Sequence, residues 1–211
     1  MFGIFWDCDG TLMDTERSYA LAWQKHLLSF GIKITNKEMN QFIGVDDRLV
    51  HSYFLKNVNL GNFENTMNEL SKIIEVTLSS DLLFEDAKKV LEELDHKKYI
   101  SSCVSASPFS LLIKKLKKAN IDKYFSFIIG GDMVSRNKPY PDIYLKAISE
   151  LQTKKNLIIE DSPTGIAAGK SAGEFVVAID RGIFTKDELK KADLITEELT
   201  LDLLISAFNT L

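Results

Sequence analysis

The chain has 211 residues, 45% of them hydrophobic and 27% charged, a mix that can bury a sizeable core and excludes a disordered or collagen-like chain. The formal net charge is −4 and no basic stripe is present, which argues against a nucleic acid polymer as partner. No run approaches the roughly 20 apolar residues of a membrane helix, and the opening Met-Phe-Gly-Ile-Phe-Trp is too short and lacks the basic start of a signal peptide.

In chain order, Gly3–Trp6 is an apolar run that ends in Asp-Cys-Asp-Gly-Thr and reads as a buried strand feeding a loop. The character then changes. Tyr19, Trp23, Leu27 and Phe30 recur at helical spacing, and Gly31 is a stop signal. Thr35 with Glu38 three residues later forms a candidate capping box for a second helix, and helical patterns continue to about Leu78. Residues 16–80 therefore read as all-helical. After Asp81 the pattern alternates. Helices are expected over Ala87–Leu94, Phe109–Ala119, Pro141–Leu151 and Gly165–Ala172. Strands are expected over Tyr99–Val104, Phe127–Ile129, Leu157–Ile159 and Phe175–Ile179. Strands alternating with short helices predict an α/β fold, a Rossmann-like parallel sheet with helices on both faces. The first strand belongs to that sheet. Residues 1–15 and 81–211 are then the core, and residues 16–80 an inserted all-helical domain.

Cys8 and Cys103 have no metal-type spacing and lie in apolar runs, so they read as buried free thiols in a reducing, cytoplasmic compartment. The cluster Lys114, Lys115, Lys117 and Lys118 reads as a solvated helix face.

In open parallel sheets, ligands bind beyond the carboxyl ends of the strands. The polar residues there are Asp7 and Asp9, Ser105, and Glu160 with Asp161; Lys138 follows later in its loop. Asp7 and Asp9 lie two apart, Gly10 permits a sharp turn, and Thr11 adds a hydroxyl. Carboxylates this close repel, and a divalent cation resolves the conflict; Mg2+ takes oxygen ligands, usually one or two carboxylates with water and phosphate. Lys138 offers a compact positive charge to a phosphate oxygen or to a carboxylate, and Ser105 with the amides after it can donate to phosphate. Each of these residues alone has an ordinary explanation as a turn, helix cap or surface residue. Their order, each following a strand, points to one shared anion and metal site.

That set resembles the haloacid dehalogenase superfamily along the whole chain. FWDCDGTLMDTE resembles its first motif, CVSAS its second through Ser105, NKPYPDIYL its third through Lys138, and IEDSPTGIAAGKSAG its fourth. Within the superfamily the chain looks most like the β-phosphoglucomutase-like group with a helical cap. The resemblance implies a phosphatase of small phosphorylated metabolites that uses Asp7 as nucleophile, through an aspartyl-phosphate, and Asp9 as acid and base. It implies Mg2+ held by Asp7, Asp9 (through its carbonyl), Asp161 and, directly or through water, Glu160. Thr11, Ser105, Ala106 and Lys138 would hold phosphate. At an ordinary carboxylate pKa, about 3.9, Asp7 would be ionised at neutral pH.

The chain departs from the family pattern in three places. Trp6 stands where Phe is usual, and Phe84-Glu85-Asp86 replaces a Pro-Gly-Val near the second connection. In the helical insertion, the histidine of true mutases falls on Tyr19 and their arginine near Asp47, with Arg48 adjacent. Tyr19 and Arg48 are thus the candidate substrate contacts of the insertion. Missing cations favour hydrolysis over the mutase alternative; a catalytically idle binding protein on the same fold is the alternative of another class. A monomer with no membrane partner is expected, its insertion moving as a lid.

Overall fold

The computed structural model describes residues 2–42, 45, 47–77 and 82–211. It divides into two compact units, Met1–Asp14 with Ser80–Leu211, and Thr15–Ser79. The expected helical end at Leu78 and the expected boundary at Ser80 and Asp81 lie outside the described residues.

The first unit is built on six parallel strands: β1 (Phe2–Trp6), β2 (Tyr99–Val104), β3 (Phe127–Ile129), β4 (Lys155–Glu160), β5 (Phe175–Ile179) and β6 (Leu194–Thr196). Their order is β3-β2-β1-β4-β5-β6. β1 therefore lies centrally, with Trp6 opposite Cys103 on one side and Ile159 on the other. Successive strand residues point to opposite faces. Ile4, Trp6, Leu157, Ile159, Val177 and Ile179 pack on one face with α5 (Glu85–Glu93), α6 (Phe109–Lys118) and α10 (Leu201–Thr210). The intervening Phe5, Ile158, Val176 and Ala178 pack on the other with α7 (Asp142–Leu151), α8 (Pro163–Ser171) and α9 (Lys186–Leu189). Burial on both faces is why these strands read as continuous apolar runs.

The structure extends the sequence reading at the C-terminal end. β6 is only three residues long, and α9 and α10 follow caps rather than a conspicuous period. Thr185 and Glu188 form a reciprocal capping box, and the Thr200 side chain accepts from Leu203 N. α8 starts at Pro163, earlier than Gly165, because Ser162 caps it, accepting from Gly165 N at 3.0 Å, and Pro is well suited to the first helical turn.

The second unit contains α1 (Glu16–Ser29), α2 (Asn36–Met39), α3 (Asp47–Leu55) and α4 (Phe63–Thr77), and no strand among the described residues. The Thr35–Glu38 box forms: Thr35 N donates to Glu38 Oε2 at 2.8 Å, and Glu38 N to Thr35 Oγ1 at 3.3 Å. α1 packs on α4, and Trp23, Leu27, Phe54, Leu70 and Ile74 are buried. The Trp23 indole N–H donates to Asp47 Oδ1 at 2.9 Å. Buried His26 lies edge-on to Trp23 and Phe30, and buried His51 edge-on to Phe63.

Both thiols are buried and free. A hydrogen bond to Cys103, together with burial, holds the Cys8 thiol well above its usual pKa, so Cys8 is not a candidate nucleophile. No helix among the described residues is long and apolar enough to cross a membrane.

Candidate active site

The sheet order brings the acidic strand ends together. Asp7 immediately follows β1, and its N–H donates to Ile159 O at 2.9 Å, tying it to the end of β4, where Glu160 and Asp161 stand. One carboxylate oxygen from each of Asp7, Glu160 and Asp161 can be chosen so that all three lie within 4.8 Å of one another. All three residues are buried.

Lys138 joins this cluster from the loop after β3. Its Nζ donates to Asp7 Oδ1 at 2.6 Å, Glu160 Oε1 at 2.7 Å and Val104 O at 3.0 Å. Three acceptors match the three ammonium protons. Burial opposes the charge on Lys138, but the carboxylates of Asp7 and Glu160 outweigh it and hold the lysine well above its usual pKa.

Glu160 accepts more than Lys138. Tyr144 OH donates to Oε1 at 2.7 Å, and Oε2 accepts from Asp161 N, Ser162 N and Ser162 Oγ at 3.1, 3.3 and 3.1 Å. Burial and the negative charge of Glu160 push the Tyr144 phenol well above its usual pKa, which keeps it a donor. A carboxylate has about four lone-pair positions, so these donors already occupy the acceptor capacity of Glu160. Its direct use as a metal ligand would displace a protein donor.

Burial foremost, then the charges of Glu160 and Asp9, raise Asp7 to about pKa 7 against the opposing pull of Lys138. This corrects the expectation of an ordinary carboxylate at neutral pH: the strand end is buried, and the protein supplies less positive than negative charge around it. Asp7 and Asp161 are hard oxygen donors in a buried acidic cluster, so the residues fit a small divalent cation, which would favour the ionised Asp7.

Two glycines are dictated by these carboxylates. Gly10 has φ +86°, and a Cβ there would run into the Asp161 carboxylate. A Cβ on Gly165 would strike the Glu160 carboxylate. The Thr11 hydroxyl is buried and donates to Asp161 Oδ1 at 3.3 Å, so as placed it supports that carboxylate.

The second-motif loop faces Asp9. Ser105 Oγ and Ser107 Oγ donate to Asp9 Oδ2 at 3.0 and 2.9 Å, and Lys115 donates to Asp9 Oδ1. Lys115 is 0% exposed, which corrects the reading of all four lysines as a solvated face; Lys114, Lys117 and Lys118 are exposed. The signal was present. Leu111, Leu112 and Leu116 form the buried stripe of α6, and Lys115 falls inside it. Ser107 and Asn137 were also missed. The Asn137 amide donates to Ala106 O at 3.0 Å and its Oδ1 accepts from Lys138 N at 2.8 Å, which ties the second-motif loop to the lysine loop. Ala106 itself is exposed.

Within the helical unit, Arg48 lies over the Phe63 ring with its guanidinium carbon 4.4 Å from the centroid. Tyr19 is half-buried in α1.

The chain is 31% identical over 182 residues to a phosphorylated carbohydrates phosphatase of Thermotoga maritima, covering 82% of each protein. It is 30% identical over 175 residues to a phosphoglycolate phosphatase of Aquifex aeolicus, covering 81% of this chain and 80% of that one. The crystal structure of a β-phosphoglucomutase from Clostridium difficile superposes with a TM-score of 0.78 at 23% identity, covering 99% of this chain and 97% of that chain, a likeness of fold. A sequence profile of the haloacid dehalogenase-like hydrolases matches residues 4–179, and the chain belongs to that family.

Proposed function

We propose that the protein is a Mg2+-dependent phosphatase that hydrolyses small phosphorylated metabolites through an aspartyl-phosphate on Asp7. The observation that carries this reading is the contact of Lys138 with both Asp7 and Glu160, beside Asp161, at the end of the central strand. An acid-rich site with a single buried lysine on its nucleophile suits an anionic substrate that arrives with a divalent cation. The phosphatase relatives support the same reaction class.

In the first step a carboxylate oxygen of Asp7 bonds to phosphorus as the phosphorus–oxygen bond to the leaving alcohol breaks, and Asp9 gives that oxygen a proton. In the second step Asp9 takes a proton from water, the water oxygen bonds to phosphorus, and the Asp7–phosphorus bond breaks. Inorganic phosphate leaves and Asp7 is regenerated. Lys138 holds the nucleophile in place and faces the phosphoryl charge, and Ser105 and the Ala106 amide donate to it. Asp7, Asp161 and the Asp9 carbonyl would hold Mg2+, which supplies charge neutralisation for the phosphoryl oxygens. Glu160, saturated by its own donors, orients Lys138.

The family resemblance assigns choice among metabolites to the helical unit as a cap. A mutase would need a cation there for a second phosphate. Asp47, whose carboxylate accepts from Trp23, supports hydrolysis instead, and Arg48, which keeps its charge over the Phe63 ring, is the residue on which the mutase alternative rests. The buried free thiols accord with a cytoplasmic enzyme. The test is phosphate release from sugar phosphates, nucleotides and glycolytic acids, with Mg2+ and with chelator. Undiminished hydrolysis after exhaustive chelation contradicts the metal assignment, and conversion of glucose 1-phosphate to glucose 6-phosphate without phosphate release contradicts hydrolysis.

A further inference from the structure

We propose that Lys115 is a positioning residue for Asp9. With Ser107 it forms a dock that keeps the acid–base carboxylate oriented while the Ser105 hydroxyl turns to the substrate phosphate. The proposal rests on the reading of Asp9 as acid and base.

The contacts close a ring. Lys115 Nζ donates to Asp9 Oδ1 and, at 3.1 Å, to Ser107 Oγ, and Ser107 Oγ donates to Asp9 Oδ2. Ser105 Oγ also donates to Asp9 Oδ2 and accepts from Ser107 N at 3.0 Å. A serine hydroxyl has one proton. The Ser105 proton cannot serve Asp9 and a phosphate oxygen together, so phosphate binding removes one of the donors on Asp9. The Lys115 and Ser107 contacts do not compete with phosphate in this way, and Lys115 stands on a helix whose inner face is packed into the core.

Stability does not account for the arrangement. Burying an ammonium is costly, and well-packed apolar replacements of buried ion pairs are often neutral or stabilising. The leucines of the α6 stripe show what an ordinary residue there would be. Asp9 keeps 21% of its side chain exposed, so the buried partner anchors a carboxylate that still opens to the site. When Asp9 gives up its proton to the leaving oxygen, the Lys115 ammonium already faces the charge left behind, without reorganisation.

The test is the leaving-group dependence of kcat/KM, which reports the steps up to alcohol release, in the full chain with Mg2+. p-Nitrophenyl phosphate has a leaving group that needs no protonation; glucose 6-phosphate, or the fastest alkyl ester of the panel, does. Lys115→Met is expected to lower kcat/KM on the alkyl ester by about tenfold or more and on p-nitrophenyl phosphate by less than about threefold, a part of what general acid catalysis supplies. In an Asp9→Asn background, Lys115→Met should add no further loss on the alkyl ester. That double variant carries no unpaired carboxylate, and it keeps the test open if the single variant folds poorly. Equal losses on both esters, no loss on the alkyl ester, or full additivity with Asp9→Asn overturns the proposal. Asp9→Asn alone separates it from the parent reading: a variant that loses no more kcat/KM on the alkyl ester than on p-nitrophenyl phosphate refutes Asp9 as the acid itself.

Discussion

Glu160→Gln is expected to destabilise the sheet unit by about 3 kcal/mol, because no orientation of the amide satisfies its surroundings. The substitution keeps size and shape and exchanges one acceptor oxygen for an NH2 donor. With NH2 at the Oε1 position, the amide faces the Lys138 ammonium, which can only donate, and Tyr144 OH, which can turn to accept. This orientation loses a bond to a charged group, worth about 1.5–3 kcal/mol, and leaves Lys138 with only Asp7 to balance its buried charge. With NH2 at the Oε2 position, the amide faces the N–H groups of Asp161 and Ser162. The buried Asp161 donor is then stranded at about 1–3 kcal/mol, and the part-buried Ser162 donor at the lower end of that range. Both routes come to about 3 kcal/mol, a large share of the roughly 5–15 kcal/mol that holds a domain folded. The two tryptophans lie in different units, so Trp6 fluorescence in a Trp23→Phe background reports the sheet unit alone. At a slope of about 2 kcal/mol/M, the urea midpoint should fall by about 1.5 M. A change under about 1 kcal/mol would show that the donors around Glu160 are not engaged in solution.

Asp7→Asn should leave the fold intact and abolish turnover, since the amide is nearly isosteric but a poor nucleophile; activity within about tenfold of the parent rules out a covalent Asp7. Asp7 has a folded pKa raised from 3.8 to about 7, so its contribution to stability is fully present below 3.8 and is lost as pH rises through 7. A cation that binds the ionised form should therefore raise the melting temperature more at about pH 8 than at about pH 5.5, and a Mg2+ shift that is flat with pH refutes the coupling. His26 behaves in the opposite sense. Burial, the larger cause, and the neighbouring His51 lower its pKa from 6.5 despite Glu69, so its stabilising contribution is present above 6.5 and is lost as pH falls through the folded value. The unfolding midpoint read by Trp23 in a Trp6→Phe background should fall below about pH 6.5, and His26→Gln should flatten that slope. Gly165→Ala should lower kcat and stability together, because the added methyl meets the Glu160 carboxylate; a variant equal to the parent in both refutes that contact.

Much of the parallel sheet was legible because its strands are buried on both faces and end in acids. An apolar run that stops at Asp7 or Glu160 marks both the strand and the position of the site. The end of the chain was less legible: β6 is too short to show a period, and α9 and α10 are announced mainly by Thr185 and Thr200 as caps. Single residue types misled where tertiary contacts decide their state. Lys115 has the same charge as Lys114 and Lys117, and only its place in a leucine stripe marks it as buried. The ionisation of Asp7 could not be read from its neighbours in sequence, because Glu160 and Lys138, which help set it, lie on other loops.

The two acidic motifs explain each other through their glycines. Asp161 occupies the space that a side chain at position 10 would need, and the positive φ there turns the chain directly after Asp9. Glu160 occupies the space beside position 165, one turn into α8, where Ser162 both caps the helix and donates to Glu160 Oε2. Gly165 thus lets the helix start close behind the strand, and the same serine serves the helix end and the carboxylate. The Asp-x-Asp-Gly and Glu-Asp-Ser-Pro-Thr-Gly spacings are therefore packing constraints as much as chemical ones. Either acid can be drawn into the site only if the glycine facing it has no side chain. A turn that merely happened to be rich in Asp and Gly would leave that space empty, as at Gly31, Gly61, Gly173 and Gly182, where an added Cβ meets nothing within 4 Å.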